Sequence, residues 1–221
     1  MQDTNTITQS EQGELSTNRV LRNTYALLSM TLLFSAIMAM ISMRLNMPPM
    51  TGLITLGAAM VLLMFVLPKF ENSGAGIGIV FLATGLLGFG LGPMLSSYLR
   101  MPNGAATVAT ALGGTGAIFL ALSAYVLTTK KRFEFMGGML FVGLIVVFGA
   151  AVLNIFLSIP ALSVAVSSAM VLLMSGFILF DTSRIVNGGE TNYIRATVSM
   201  FINIFNLFTS LLHLLGIMGD D

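Results

Sequence analysis

ALSVAVSSAMVLLMSGFILFDTSRI, residues 161–185, runs twenty positions without a charge and then sets Asp181 and Arg184 within four of each other. An apolar helix of about 20 residues is long enough to cross a hydrocarbon layer about 30 Å thick. One such run could still be the core helix of a soluble protein, so the rest of the chain has to be read beside it. Of 221 residues, 56% are hydrophobic and only 9% are charged. Mean hydropathy is +0.92. Soluble domains carry roughly a quarter of their residues as charges. This chain lacks the polar surface to coat a globule in water, and it reads as an integral membrane protein.

Working outward, six more stretches match the first. The expected spans are 24–43, 50–67, 77–99, 105–127, 136–157, 161–180 and 196–217. Each is continuously apolar, whereas barrel strands would alternate with a period of two. Irregular backbone cannot face lipid with its N–H and C=O groups unpaired. The expected fold is therefore an all-α bundle of seven transmembrane helices, residues 19–221, preceded by a polar tail at 1–18. That tail, MQDTNTITQSEQGELSTN, lacks the basic start and short apolar core of a cleavable signal. It reads as a flexible cytoplasmic segment.

Positive residues favour the cytoplasmic side. With seven spans, the tail and the second, fourth and sixth loops share one side, which holds Arg19, Arg22, Lys69, Lys130, Lys131, Arg132, Arg184 and Arg195. The other side holds Arg44 and Arg100. This asymmetry predicts a cytoplasmic N-terminus and a periplasmic C-terminus. There are no cysteines, so disulfide, thiolate and thiol-redox chemistry are excluded.

Polar groups within the spans are the candidate functional residues. Asp181 has two readings: it ends the sixth span and pairs with Arg184 at i,i+3, or it faces the bundle interior, partly desolvated. A charge within a span is costly and is a functional candidate by default. On the seventh span Arg195, Ser199, Asn203, Asn206, Ser210 and His213 fall within an arc of about 80° at 100° per residue. Lipid would not accept that stripe, so it must face other helices, either as interhelical hydrogen bonds or as a wet ion pathway. The seventh helix is accordingly expected at the centre. Gly88 and Gly92 form a small-xxx-small pair suited to close helix packing, and Pro93 is expected to bend the third span. Asn154 reads as an interhelical hydrogen-bond donor.

Enzyme chemistry finds little footing. Intramembrane aspartyl catalysis needs two carboxylates in the spans, and only Asp181 is near one. A zinc protease of the HExxH type needs two histidines, and His213 is the only one. No catalytic, cofactor or firm metal site is expected.

Residues 181–216, DTSRIVNGGETNYIRATVSMFINIFNLFTSLLHLLG, resemble the C-terminal signature of the Bax inhibitor-1 family. Asp181, Thr182, Tyr193, Ala196, Asn206, Leu207 and Phe208 match its pattern. RNTYALLS (22–29), LGPML (91–95), LGGTG (112–116) and SAYVLTT (123–129) resemble a proteobacterial branch whose members modulate the membrane protease FtsH. The resemblance implies seven helices around a central seventh. It also implies partnership with FtsH and its HflK–HflC complex in the bacterial inner membrane, with the tail as the protease's handle. Members are described as pH-sensitive Ca2+ leak channels gated by two aspartates sharing a proton. Asp181 matches the first; the second falls on Asn203, an amide that does not titrate. Two functions are thus expected in order: a binding modulator of FtsH, and alternatively a calcium or cation leak with a weakened pH response.

Overall fold

The structure, a computed structural model, describes residues 2–218, with side chains from Leu15 to Ile217. Among the described residues there is no strand, and seven helices are long and apolar enough to cross a membrane. They are α1 (Gln2–Arg44), α2 (Met50–Phe70), α3 (Gly74–Leu99), α4 (Gly104–Thr129), α5 (Gly137–Leu157), α6 (Pro160–Val186) and α7 (Tyr193–Met218). The expected spans fall within these helices, except that the fifth begins one residue earlier, at Met136 in the 3-10 turn Glu134–Met136 that leads into α5. Residues 2–18, expected as a tail, continue α1 as helical backbone.

Several helices outrun the apolar runs that predicted them. Hydropathy reports where the hydrocarbon ends, whereas a helix stops where its last carbonyls find other donors. α6 shows the difference. It continues past Phe180 to Val186, so Asp181, Thr182, Ser183 and Arg184 are helical and not part of a loop. Just past its end at Val186 stands Gly188, whose φ of +75° suits a residue without Cβ. There the Gly188 N–H donates to Ile185 O, and the Gly189 N–H donates to Arg184 O. α2 likewise runs through Pro68, with a π turn at Leu62–Val66 just before it. Proline lacks a donor and its ring crowds the carbonyl four residues back, which the wider π turn relieves.

Packing follows the small residues. A Cβ added at Gly88 would collide with Ser35, and one at Gly92 with Ser42, so α1 and α3 lie against each other through this pair. In lipid, helices associate by close van der Waals contact and hydrogen bonds, which small residues permit. α3 also receives α2, where Gly90 faces Thr55 and Gly52. At the far end of the chain Asn154 joins α5 to α6: its amide donates to Ser163 Oγ (2.6 Å) while its carbonyl accepts the Ile159 N–H (3.0 Å).

The two extremes of burial define the architecture. On α7 no residue from Ala196 to Ile217 is exposed, and the helix packs against α1, α3, α4 and α6. On α5 only Leu140 is buried, and its side chains are otherwise largely outward. A helix whose polar stripe cannot meet lipid ends up enclosed; one with an apolar surface all round can sit at the rim.

Candidate functional site

The sequence Asp181-Thr182-Ser183-Arg184 forms the last turns of α6, and each side chain addresses a different neighbour. Successive residues on a helix point about 100° apart, so four adjacent polar groups reach four partners. The Asp181 carboxylate accepts hydrogen bonds from Ser199 Oγ (2.5 Å) and Asn203 Nδ2 (2.7 Å) of α7. Thr182 Oγ1 faces Ser123 Oγ of α4 at 3.5 Å. Ser183 Oγ donates to Lys131 O (3.1 Å) and accepts the Phe133 N–H (2.9 Å), holding the loop between α4 and α5. Arg184 turns outward to Glu190 (3.4 Å).

Of the two readings of Asp181, the interior one matches this geometry. Asp181 is 6% exposed and Asn203 5% exposed. Arg184 lies on the same helix, but its guanidinium pairs with Glu190 after Gly188 turns the loop back. Removal from water makes a carboxylate dependent on its donors, and Ser199 and Asn203 supply two to one oxygen.

A second polar layer sits just outside the first. Arg195 pairs with Glu190 (3.1 Å) and with Glu71 (3.4 Å), tying the loop before α7 to the loop after α2. Asn192 locks this layer. Its amide donates to Glu71 O and Asn72 Oδ1, both at 3.0 Å, and its carbonyl accepts the Ile194 N–H (2.8 Å) at the start of α7. Asparagine is well suited to satisfying such orphan donors. Glu71, Glu190 and Asn192 were not among the residues singled out from sequence. The signal for Asn192 was available, since it stands just ahead of the apolar run of α7; the Glu71–Arg195 pairing spans 124 positions and left none.

The stripe on α7 therefore divides. Arg195 belongs to the outer polar layer, and Ser199 and Asn203 belong to Asp181. Asn206 donates to Ile202 O of its own helix (2.9 Å). Ser210 is half-buried farther along. His213 Nδ1 meets the Tyr98 hydroxyl of α3 at 3.2 Å. At 1.5 Å per residue it lies about 15 Å along the axis from Asn203. Among the described residues no three His, Asp or Glu side chains converge as a metal site would require.

Seven apolar helices, an enclosed seventh and a carboxylate buried at one end of the bundle define a polytopic α-helical membrane protein. Residues 17–220 match the family described as inhibitor of apoptosis-promoting Bax1, and the chain belongs to that family. An uncharacterized membrane protein of Vibrio cholerae is 55% identical over 98% of this chain and 97% of its own length. The modulator of FtsH protease YccA of Escherichia coli K12 is 52% identical over 94% of both chains. A relative in Escherichia coli O6:H1 with the same identity and coverage is named inner membrane protein YccA. The resemblance read from residues 181–216 is thereby confirmed, and the chain is a multi-pass inner-membrane protein.

Proposed function

We propose that this protein binds the membrane protease FtsH and restrains it, acting as a slowly consumed substrate. The supporting observation is the 52% identity over 94% of both chains to a protein named as a modulator of that protease. FtsH and its associated HflK–HflC complex are the partners this implies, and the chain itself performs no catalysis. Residues 1–18 are the grip. They are polar, they precede the first apolar run, and a cytoplasmic N-terminus follows from the Lys and Arg asymmetry. A multi-span bundle pulled from that end resists extraction, because α1 is locked to α3 through Gly88 and Gly92. Deleting residues 2–18 should lengthen the protein's half-life in cells containing FtsH and slow degradation of other FtsH substrates. Unchanged turnover together with unchanged degradation of those substrates would overturn the proposal.

The pairing of Asp181 with Ser199 and Asn203 supports a second reading, a cation leak. A carboxylate, a hydroxyl and an amide carbonyl are oxygen ligands of the kind Ca2+ takes, although it takes six to eight of them in a stable site. One charge with two neutral partners would bind weakly and release readily, as conduction requires. Protein reconstituted in liposomes should pass Ca2+, and Asp181→Asn should change the flux at least severalfold. Equal flux from both would remove Asp181 as the gate.

A further inference from the structure

α1 and α4 approach each other at one end and leave a gap at the other. Near the Asp181 end they touch through the rings of Tyr25 and Phe119, whose centroids are 6.0 Å apart. Among the described residues no Cα of α1 lies within 8 Å of one in α4. Beyond the ring pair the two helices enclose a cleft of about 480 Å³. Its floor is the aromatic face of α7, including Phe201, Phe205 and Phe208, and its far wall is α3. At its lip Met40, Leu99 and Leu112 are 52%, 45% and 57% exposed, so it opens sideways.

The environment of that opening is hydrocarbon. Along α1 the cleft runs from Leu32 to Met43. At 1.5 Å per residue that is about 16 Å, close to half of a core about 30 Å thick. Its length is therefore that of one leaflet's acyl layer. Its volume lies within the roughly 300–1,000 Å³ range of built ligand pockets. It also ends beside charge. Met43 and Leu99 line its outer end, and the next residues are Arg44 and Arg100. These terminate α1 and C-cap α3, are exposed, and take part in none of the ion pairs among the described residues. They are also the two cationic residues assigned to that side of the membrane by the sequence.

We propose that this cleft is a phospholipid site: an acyl chain from the leaflet at the Arg44–Arg100 end lies between α1 and α4, and the two guanidiniums hold the phosphate of an anionic headgroup. Arginine presents a fork of donors that matches phosphate oxygens. Gly116 makes the cleft possible. It lines the wall on α4, and a Cβ built there meets nothing within 4 Å, so any larger side chain would enter the space an acyl chain needs. Gly113, one turn away, is equally open but does not line the cleft.

Native mass spectrometry of the full chain in detergent, titrated with phosphatidylglycerol or phosphatidylcholine, tests the site. Wild type should retain one phosphatidylglycerol in preference to phosphatidylcholine by about tenfold or more, given two arginines at the headgroup. Gly116→Phe should lose this adduct while Gly113→Phe keeps it. Arg44→Gln with Arg100→Gln should bring the two lipids to parity, and these exposed positions leave the packed core untouched if Gly116→Phe fails to fold. Equal retention by wild type and Gly116→Phe would overturn the proposal. So would an unchanged lipid preference in the double arginine variant.

Discussion

The bond between α6 and α7 can be weighed by a double-mutant cycle on Asp181 and Asn203. Asp181→Ala removes the acceptor, Asn203→Ala removes the donor, and the double variant removes both. The structure supplies the terms: a 2.7 Å bond, a carboxylate 6% exposed and a donor 5% exposed. Hydrogen bonds to charged groups contribute about 1.5–3 kcal/mol in soluble proteins. Interhelical bonds in membrane bundles average about 0.6 kcal/mol and reach about 1.7. A charged, buried pair belongs at the top of the second range, so the coupling energy should be about 1.5 kcal/mol, or about tenfold in the folded-to-unfolded ratio. Asp181 keeps Ser199 in the Asn203→Ala variant, which limits the loss to one of its two donors. The assay is equilibrium unfolding in mixed micelles, with Asp181 and Asn206 as the control cycle. Asn206 bonds its own helix, so that pair should be additive within about 0.5 kcal/mol. A coupling for Asp181 and Asn203 no larger than the control would refute the account of this site.

Other perturbations probe separate parts of the fold. Gly88→Leu drives a side chain into the Ser35 backbone and should destabilise the bundle by about 1–3 kcal/mol or more. Gly78→Ala, in the same helix with open space around it, should be neutral or stabilising by up to about 1 kcal/mol; thermal melts in detergent compare the two. Asn203→Asp would place two carboxylates in contact, where they cannot both ionise, so a single proton should be shared. Its stability in micelles should then change more steeply with pH than that of wild type, and parallel pH curves would contradict this. Arg195→Gln breaks both ion pairs of the outer layer. Because Arg195 is 51% exposed, the cost should stay within about 1 kcal/mol and shrink as salt is raised.

Seven spans could be counted from the chain alone because transfer into hydrocarbon is close to additive along a continuous run. Each stretch reports its own solvent whatever it packs against. The inward flank of α7 was equally legible. Ser199, Asn203 and His213 share one side by helical period, and lipid excludes all of them. The small pair Gly88 and Gly92 announced a close approach, though not that α1 would be the partner. Helix ends were the weaker inference, since α2 and α6 stop at backbone donors that hydropathy does not register.

Asp181 marks where that reasoning stops. The chain offers it either Arg184 three residues away or a place in the bundle interior, without naming an interior partner; the folded bundle gives it Ser199 and Asn203 and sends Arg184 to Glu190. The loop clasp of Glu71, Glu190 and Arg195 and the cleft between α1 and α4 are of the same kind. They depend on how rigid helices are angled and rotated against one another, a property of many small contacts summed over the whole bundle. Span number and inward polarity are set residue by residue along the chain. Which buried group meets which, and where the helices part, was decided only when all seven packed together.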